Sequence, residues 1–387
     1  MRLFKQNKES WGNFSGNINI YDNLKDSDIP KLIKEPNIHS IQFYQFKTPN
    51  EKTWKVLNNF YEQFPDIRLH IFWYDLVDFG FLKHLPAVKR FAVSSFMTKD
   101  FTPIKDYLDL TGLSVGETKS VAVDLGFISD FKDLKYFYVD GMKKGLASVS
   151  QLKNLEVLTL RGVKLPDLEI IQDLRKIREL NLLFGSYKNL DAISTQTNLQ
   201  ELEISRTRQI PNYDFLSSLN NLKTLIFEGM SQLESLPSLK GLDSLSKIQI
   251  DNNSRLADIN TVRDLQSLET FLLFFPENFK AALKKKLIDQ AFKIILDSKT
   301  INATNMWRLA DNKTKQILKD KRLNFGVIIQ KLNRYLMRNN DATTRNIRKP
   351  GDTGILKFCT FTQNCNGLIG WSSEFPASAY CHPLAAR

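Results

Sequence analysis

The chain is 387 residues long, 42% hydrophobic and 25% charged, and its 54 lysines and arginines against 42 aspartates and glutamates give a net charge of +12. Twenty-seven phenylalanines, eleven tyrosines and five tryptophans suffice for a large core and exclude wholesale disorder. Three cysteines in this length exclude a disulfide scaffold and suit a reducing compartment.

The start, MRLFKQNKESWGNFSGN, carries Lys5, Lys8 and Glu9 where a secretory signal needs an unbroken apolar run of about 7–15 residues. The longest apolar runs, at 71–74 and 271–275, are far shorter than the roughly 18 residues that span a bilayer. A cytoplasmic chain without a membrane span is the expectation. Residues 1–15 are polar and read as an N-terminal cap.

From residue 16 onward a short apolar pattern recurs. Its first copies are irregular: NINI with an anchor at Ile18, then Ile41, Leu69, Phe91, Leu113 and Phe137, at intervals of 23, 28, 22, 22 and 24. The long interval holds WKVLNNFYEQF, whose Trp54, Leu57, Phe60, Tyr61 and Phe64 fall at helical spacing and predict one genuine outer helix. The later copies share the template LxxLxL: LKNLEVLTL, LRKIRELNL, NLQELEI, LNNLKTLIF, LDSLSKIQI and LQSLETFLL. Their anchors, Leu158, Leu180, Leu202, Leu225, Ile248 and Phe271, lie 22, 22, 23, 23 and 23 residues apart. A sustained period of this kind marks a repeat array in which each unit buries its apolar face only against its neighbours.

Beyond the array, residues 276–296 place Phe279, Leu283, Leu287, Ile288, Phe292 and Ile295 on one face of a helix, expected to cover the last coil. Helical patterns follow at 306–320 and 324–338. Residues 276–349 hold 18 lysines and arginines against 6 acidic residues, so this basic region carries the whole surplus charge. Residues 350–387 hold all three cysteines and no repeat register, and read as a poorly ordered tail.

The repeated LxxLxL template resembles the leucine-rich repeat family, in particular the 22-residue class of protein-phosphatase regulators and bacterial internalins. The resemblance spans residues 16–275, with about 11–12 coils. It implies an α/β solenoid: a horseshoe with an inner parallel β-sheet and outer short turns or 3₁₀ segments, here followed by a C-terminal α-helical region. The family's asparagine after the second strand leucine appears only as Asn253; Met142, Val163, Gly185, Thr207 and Met230 stand at the equivalent places.

In that fold the residues alternating with the core pair face the concave side. The early coils then present Tyr44, Phe72, Tyr74, Phe96, Tyr136 and Tyr138. The later ones present Asp140, Glu179, Glu201, Glu203, Glu228 and Asp251 against Arg161 and Lys247. Aromatic anchors beside an acidic strip resemble a protein interface. The expected partner-binding set is Tyr44, Phe72, Tyr74, Tyr136, Tyr138, Glu179, Glu201, Glu203, Glu228 and Asp251, and the expected partner is a protein with a basic patch. The alternative is nucleic-acid or anionic-surface binding by the basic helices.

No catalytic, cofactor or metal residues are expected. His39, His70, His84 and His382 form no ligand or triad spacing. Cys359, Cys365, Cys381 and His382 lack the two-to-four-residue spacing usual for zinc. Some bacterial leucine-rich repeat effectors carry a catalytic cysteine in a helical domain after the repeats, but residues 276–349 contain none. Phosphate-binding glycine motifs are absent.

Overall fold

A computed structural model of the chain describes residues 9–44, 46–120, 122–321 and 323, all within one unit, Met1–Lys331. The helix expected at 324–338 and the cysteine-bearing tail lie outside these residues.

The anchors dictate the architecture. Each sits in a short strand directly opposite the next anchor: Ile18 faces Ile41, Ile41 faces Leu69, and the pairing runs in register through Phe91, Leu113, Phe137, Leu158, Leu180, Leu202, Leu225 and Ile248 to Phe271. The result is a 14-stranded sheet in sequence order, parallel throughout except for its first pair. A one-residue slip would turn every anchor out of the core. Because all are essentially inaccessible, the register is fixed coil by coil.

Return segments close each coil on the other side of the core. Most are 3₁₀ turns, among them Phe79–His84, Thr102–Asp106, Gly126–Asp130, Leu146–Gln151, Asp191–Thr195, Asp214–Ser218 and Asn260–Asp264. Their leucines, isoleucines and valines join the strand anchors in one continuous hydrophobic cluster. The predicted outer helix is present as Glu51–Tyr61 and buries Trp54, Leu57, Phe60 and Tyr61. Its N-cap Asn50 accepts a 2.8 Å hydrogen bond from the Thr53 amide, and the Trp54 ring stacks on Phe81 at 4.4 Å.

Both ends differ from the sequence expectation. At the start, Trp11–Phe14 folds back antiparallel on Asn17–Ile20, so a β-hairpin opens the sheet within the segment read as a polar cap. At the other end, Ala281–Asp297 is helical, but it packs against the outer 3₁₀ turns Asn260–Asp264 and Met306–Leu309. A further two-residue strand, Ala303–Thr304, then pairs with Thr270–Phe274 and extends the sheet past residue 275. The helix thus occupies the return position of one more coil instead of lying across its end. That strand carries no leucine, which is why the repeat pattern does not reveal it. The helical pattern at 306–320 resolves into Met306–Leu309 and Asn312–Asp320, broken where Asp311 caps the second helix through the Thr314 amide at 2.7 Å. Lys321 donates to the carbonyls of Ile295, Leu296 and Ser298, closing the C-terminus of the long helix.

Polar bonds between coils replace the missing asparagine ladder. Asn253 accepts from the Met230 amide at 2.7 Å and donates to Phe227 O at 3.1 Å. Thr207 bonds Leu182 O at 2.9 Å, and Asn305 brackets Leu273 through both its amide and its carbonyl. On the approach to the strands a second set appears: Asn154, Asn198 and Asn221 donate to Lys132 O, Arg175 O and Thr197 O at 2.8–3.0 Å. Four residues after each later anchor the backbone is left-handed, at Gly141, Gly162, Phe184, Arg206, Gly229 and Asn252, with φ from +49° to +79°. Each of these amides donates to the strand-end carbonyl of the next coil, as from Gly162 to Leu183 at 2.7 Å. Replacing Asn253 by Ala strands a buried amide and a buried carbonyl, and is expected to lower the unfolding free energy in urea by about 2–4 kcal/mol.

Candidate protein-binding face

The side chains alternating with the anchors project from the open face of the sheet, the face expected to be concave. Three rows result. One precedes the anchor (Arg68, Arg90, Gly112, Tyr136, Val157, Glu179, Glu201), one follows it (Gln42, His70, Ala92, Ser114, Tyr138, Thr159, Asn181, Glu203), and one lies three residues on (Tyr44, Phe72, Ser94, Asp140, Arg161, Ser205, Glu228, Asp251).

In the early coils the aromatic expectation is met by stacking. Tyr44 lies on Phe72 with ring centroids 5.2 Å apart and 29° between planes, and Tyr74 on Phe96 at 5.2 Å and 20°. Tyr74 is 40% exposed and its neighbour Leu76 is 70% exposed. Between these stacks His70 bridges two strands, its Nδ1 3.1 Å from Gln42 Oε1 and its Nε2 3.2 Å from Ser94 Oγ. The amide oxygen can only accept, so Nδ1 carries the proton and Nε2 accepts from the serine hydroxyl. Burial, reinforced by the Arg68 guanidinium, pulls the His70 pKa down to about 3. It is therefore a neutral positioning group for Phe72, whose ring it meets edge-on at 5.8 Å, and not a base.

Two arginines on this face escaped the sequence reading, although the register that selects Glu179 selects them too. Arg68 and Arg90 immediately precede the paired anchors Leu69 and Phe91 and lie side by side on adjacent strands. Arg90 reaches across Gly112 to place its guanidinium 4.4 Å above the Tyr136 ring. A Cβ at Gly112 would come within 3.2 Å of Arg90 Cγ.

At the centre of the face, Asp140 and Arg161 form an ion pair with both side chains buried. Asp140 therefore does not join the acidic strip. Burial opposes the Arg161 charge, but Asp140 and Tyr138 more than offset it and raise its pKa. Phe184, held in its left-handed turn, lies beneath two guanidiniums, Arg161 at 5.0 Å and Arg206 at 5.2 Å. Removing one partner of such a pair strands a buried charge.

The later coils gather the expected carboxylates. Glu179 and Glu201 are directly opposed on neighbouring strands, and Glu203 follows on the same face. Asn181 donates to Glu179 at 3.0 Å, and Ser205 to Glu203 at 2.8 Å. Glu228 is met by Arg206 at 3.5 Å. Asp251, in contrast, is only 7% exposed, and Ile226 and Leu272 beside its strand are buried as well. The fold thus brings Glu179, Glu201, Glu203 and Glu228 together and sets Asp251 below the surface they form. Among the described residues no group of three or more histidine, cysteine or acidic side chains could hold a metal, and no helix is long and apolar enough to cross a membrane.

Two stability experiments follow. Asp140→Leu should cost about 3–5 kcal/mol in urea unfolding, and the double variant with Arg161→Leu should recover part of that loss. Below the unfolded-state value near 6.5 the unfolded chain binds a proton that folded His70 refuses, so stability falls as pH drops from 6.5 toward 3. From pH 7.5 to 5 the native chain should lose about 2 kcal/mol more than His70→Gln, with no difference above pH 7.

No protein-family model matches the chain, and no curated protein matches it. Among solved structures it is similar to an internalin from Listeria monocytogenes, at 14% identity and a TM-score of 0.39, covering 74% of this chain and 73% of that one. It is also similar to internalin C2 of the same organism (14% identity, 59% and 77% coverage, TM-score 0.30) and to a leucine-rich repeat protein of Leptospira interrogans (14%, 66% and 88%, 0.32). The in-register parallel ladder, the LxxLxL anchors inside it and the 3₁₀ return turns make this chain a leucine-rich repeat protein.

Proposed function

We propose that the open face of the sheet binds a protein partner and that the chain is a non-enzymatic recognition scaffold. One observation carries the reading: stacked, partly exposed aromatic rings and a cluster of carboxylates are displayed on one continuous face by a rigid ladder. Aromatic side chains supply large contact area at little cost in side-chain entropy, and charge at the same surface gives orientation and choice of partner. The neutral His70 and the internally matched Asp140–Arg161 pair leave this face without a poised acid, base or nucleophile. A cytoplasmic setting agrees with the low cysteine content.

A second reading places the working surface on the basic helices, favoured by the lysines at 284–286 on Ala281–Asp297. Binding of phosphate-bearing ligands there would weaken steeply with salt.

Nuclease-treated affinity capture from the source organism's lysate separates the two. The triple variant Glu201→Lys, Glu203→Lys, Glu228→Lys should lose at least about tenfold of the captured protein while its thermal unfolding stays within a few degrees of the parent. Undiminished capture by the folded variant would contradict the proposal, and recovery of nucleic acid alone would favour the helices.

A further inference from the structure

The open face carries two like-charge pairs of opposite sign. Arg68 and Arg90 are neighbours across two early strands, and Glu179 and Glu201 are neighbours across two later ones. Like charges directly opposed on adjacent strands are destabilising. The repulsion is felt at Arg90, whose pKa is lowered first by burial and then by Arg68, with Tyr136 opposing the shift. A sequence free to alternate sign along the ladder instead keeps each end of the face uniform. Between them lie Gly112, Tyr136, Tyr138 and Thr159, all uncharged, and the Asp140–Arg161 pair, which neutralises itself.

We infer that this face selects an extended peptide segment of split charge, acidic where it crosses Arg68 and Arg90 and basic where it crosses Glu179, Glu201 and Glu203. The inference rests on the reading of this face as a protein-binding surface. Four strand steps separate Arg90 from Glu179 and five separate it from Glu201, about 19–24 Å at 4.8 Å per step. An extended chain advances about 3.3 Å per residue, so the acidic and basic ends of the ligand lie about six or seven residues apart. The intervening residues cross the Tyr136 and Tyr138 rings and are uncharged, because no unmatched charge on the face awaits them. Gly112 holds the cationic end in place by leaving room for Arg90 to lie over Tyr136. A purely basic ligand would meet repulsion at Arg68 and Arg90, and a purely acidic one would meet it at Glu179 and Glu201.

The test is selection of a random library of peptides of about twelve residues on the immobilised full-length chain. Enriched sequences should carry an acidic residue and a basic residue about six or seven positions apart. Arg68→Glu with Arg90→Glu should remove the acidic preference and leave the basic one, weakening the selected peptides at least about tenfold. Glu179→Lys with Glu201→Lys should do the reverse. The two double variants together should select peptides of inverted polarity, a gain that a misfolded chain cannot show. Enrichment of a single sign of charge, or none, overturns the inference. If peptides of another pattern are lost in both double variants, the face still binds protein but not by split charge; if none of the variants matters, the parent proposal fails as well. Concentration-dependent doubling of mass in light scattering, abolished by the same reversals, would put a second copy on the face and also overturn the inference.

Discussion

Everything in this structure depends on the anchor of one coil facing the anchor of the next. A unit of about 22 residues cannot bury its own leucines, so its stability is borrowed from the neighbours above and below. That requirement makes the ladder strictly in register from Ile18 to Phe271, through intervals as unequal as 21 and 28 residues. Length variation is absorbed on the return side, where the longest insertion becomes the helix Glu51–Tyr61 and the shorter ones close as 3₁₀ turns. The strand side stays constant, and so does the direction in which its alternate residues point.

This division explains what could be read from the sequence. The anchors, the period and the outer helix were legible because apolar spacing reports burial directly. The early aromatic positions followed from the same register: Tyr44 and Phe72 stand at equivalent places of successive coils and stack there. Less was legible where stability comes from polar groups. Thr207, Asn305 and the asparagines ahead of the strands carry inter-coil bonds that a search for one asparagine position overlooks. The two-residue strand Ala303–Thr304 has no apolar signature. Charge was the other gap, since a register marks which residues share a face and not which of them pair. Asp140 looked like part of the acidic strip, and only the fold buries it against Arg161; Arg68 and Arg90 satisfied the rule that chose Glu179 yet were passed over because attention went to the acidic residues.

The face that results is graded along the stack. Early coils offer stacked rings and guanidiniums, the centre is held shut by an ion pair and the Phe184 stack, and the later coils offer carboxylates. Rigidity is part of the design: left-handed turns at successive strand ends each donate an amide to the next coil, so the rows are preorganised before any partner arrives. Two of those turns spend backbone strain on Phe184 and Arg206, and the return is the cation–π stack that fixes Arg161.

The most direct test of this account is hydrogen exchange of the full-length chain with and without its captured partner. If the open face is the working surface, added protection will appear in the strand segments Arg68–Trp73, Tyr136–Asp140, Glu179–Leu183 and Glu201–Ser205 and will spare the outer turns. Protection confined to the basic helices Ala281–Asp297 and Asn312–Asp320, with those strands unchanged, would contradict it.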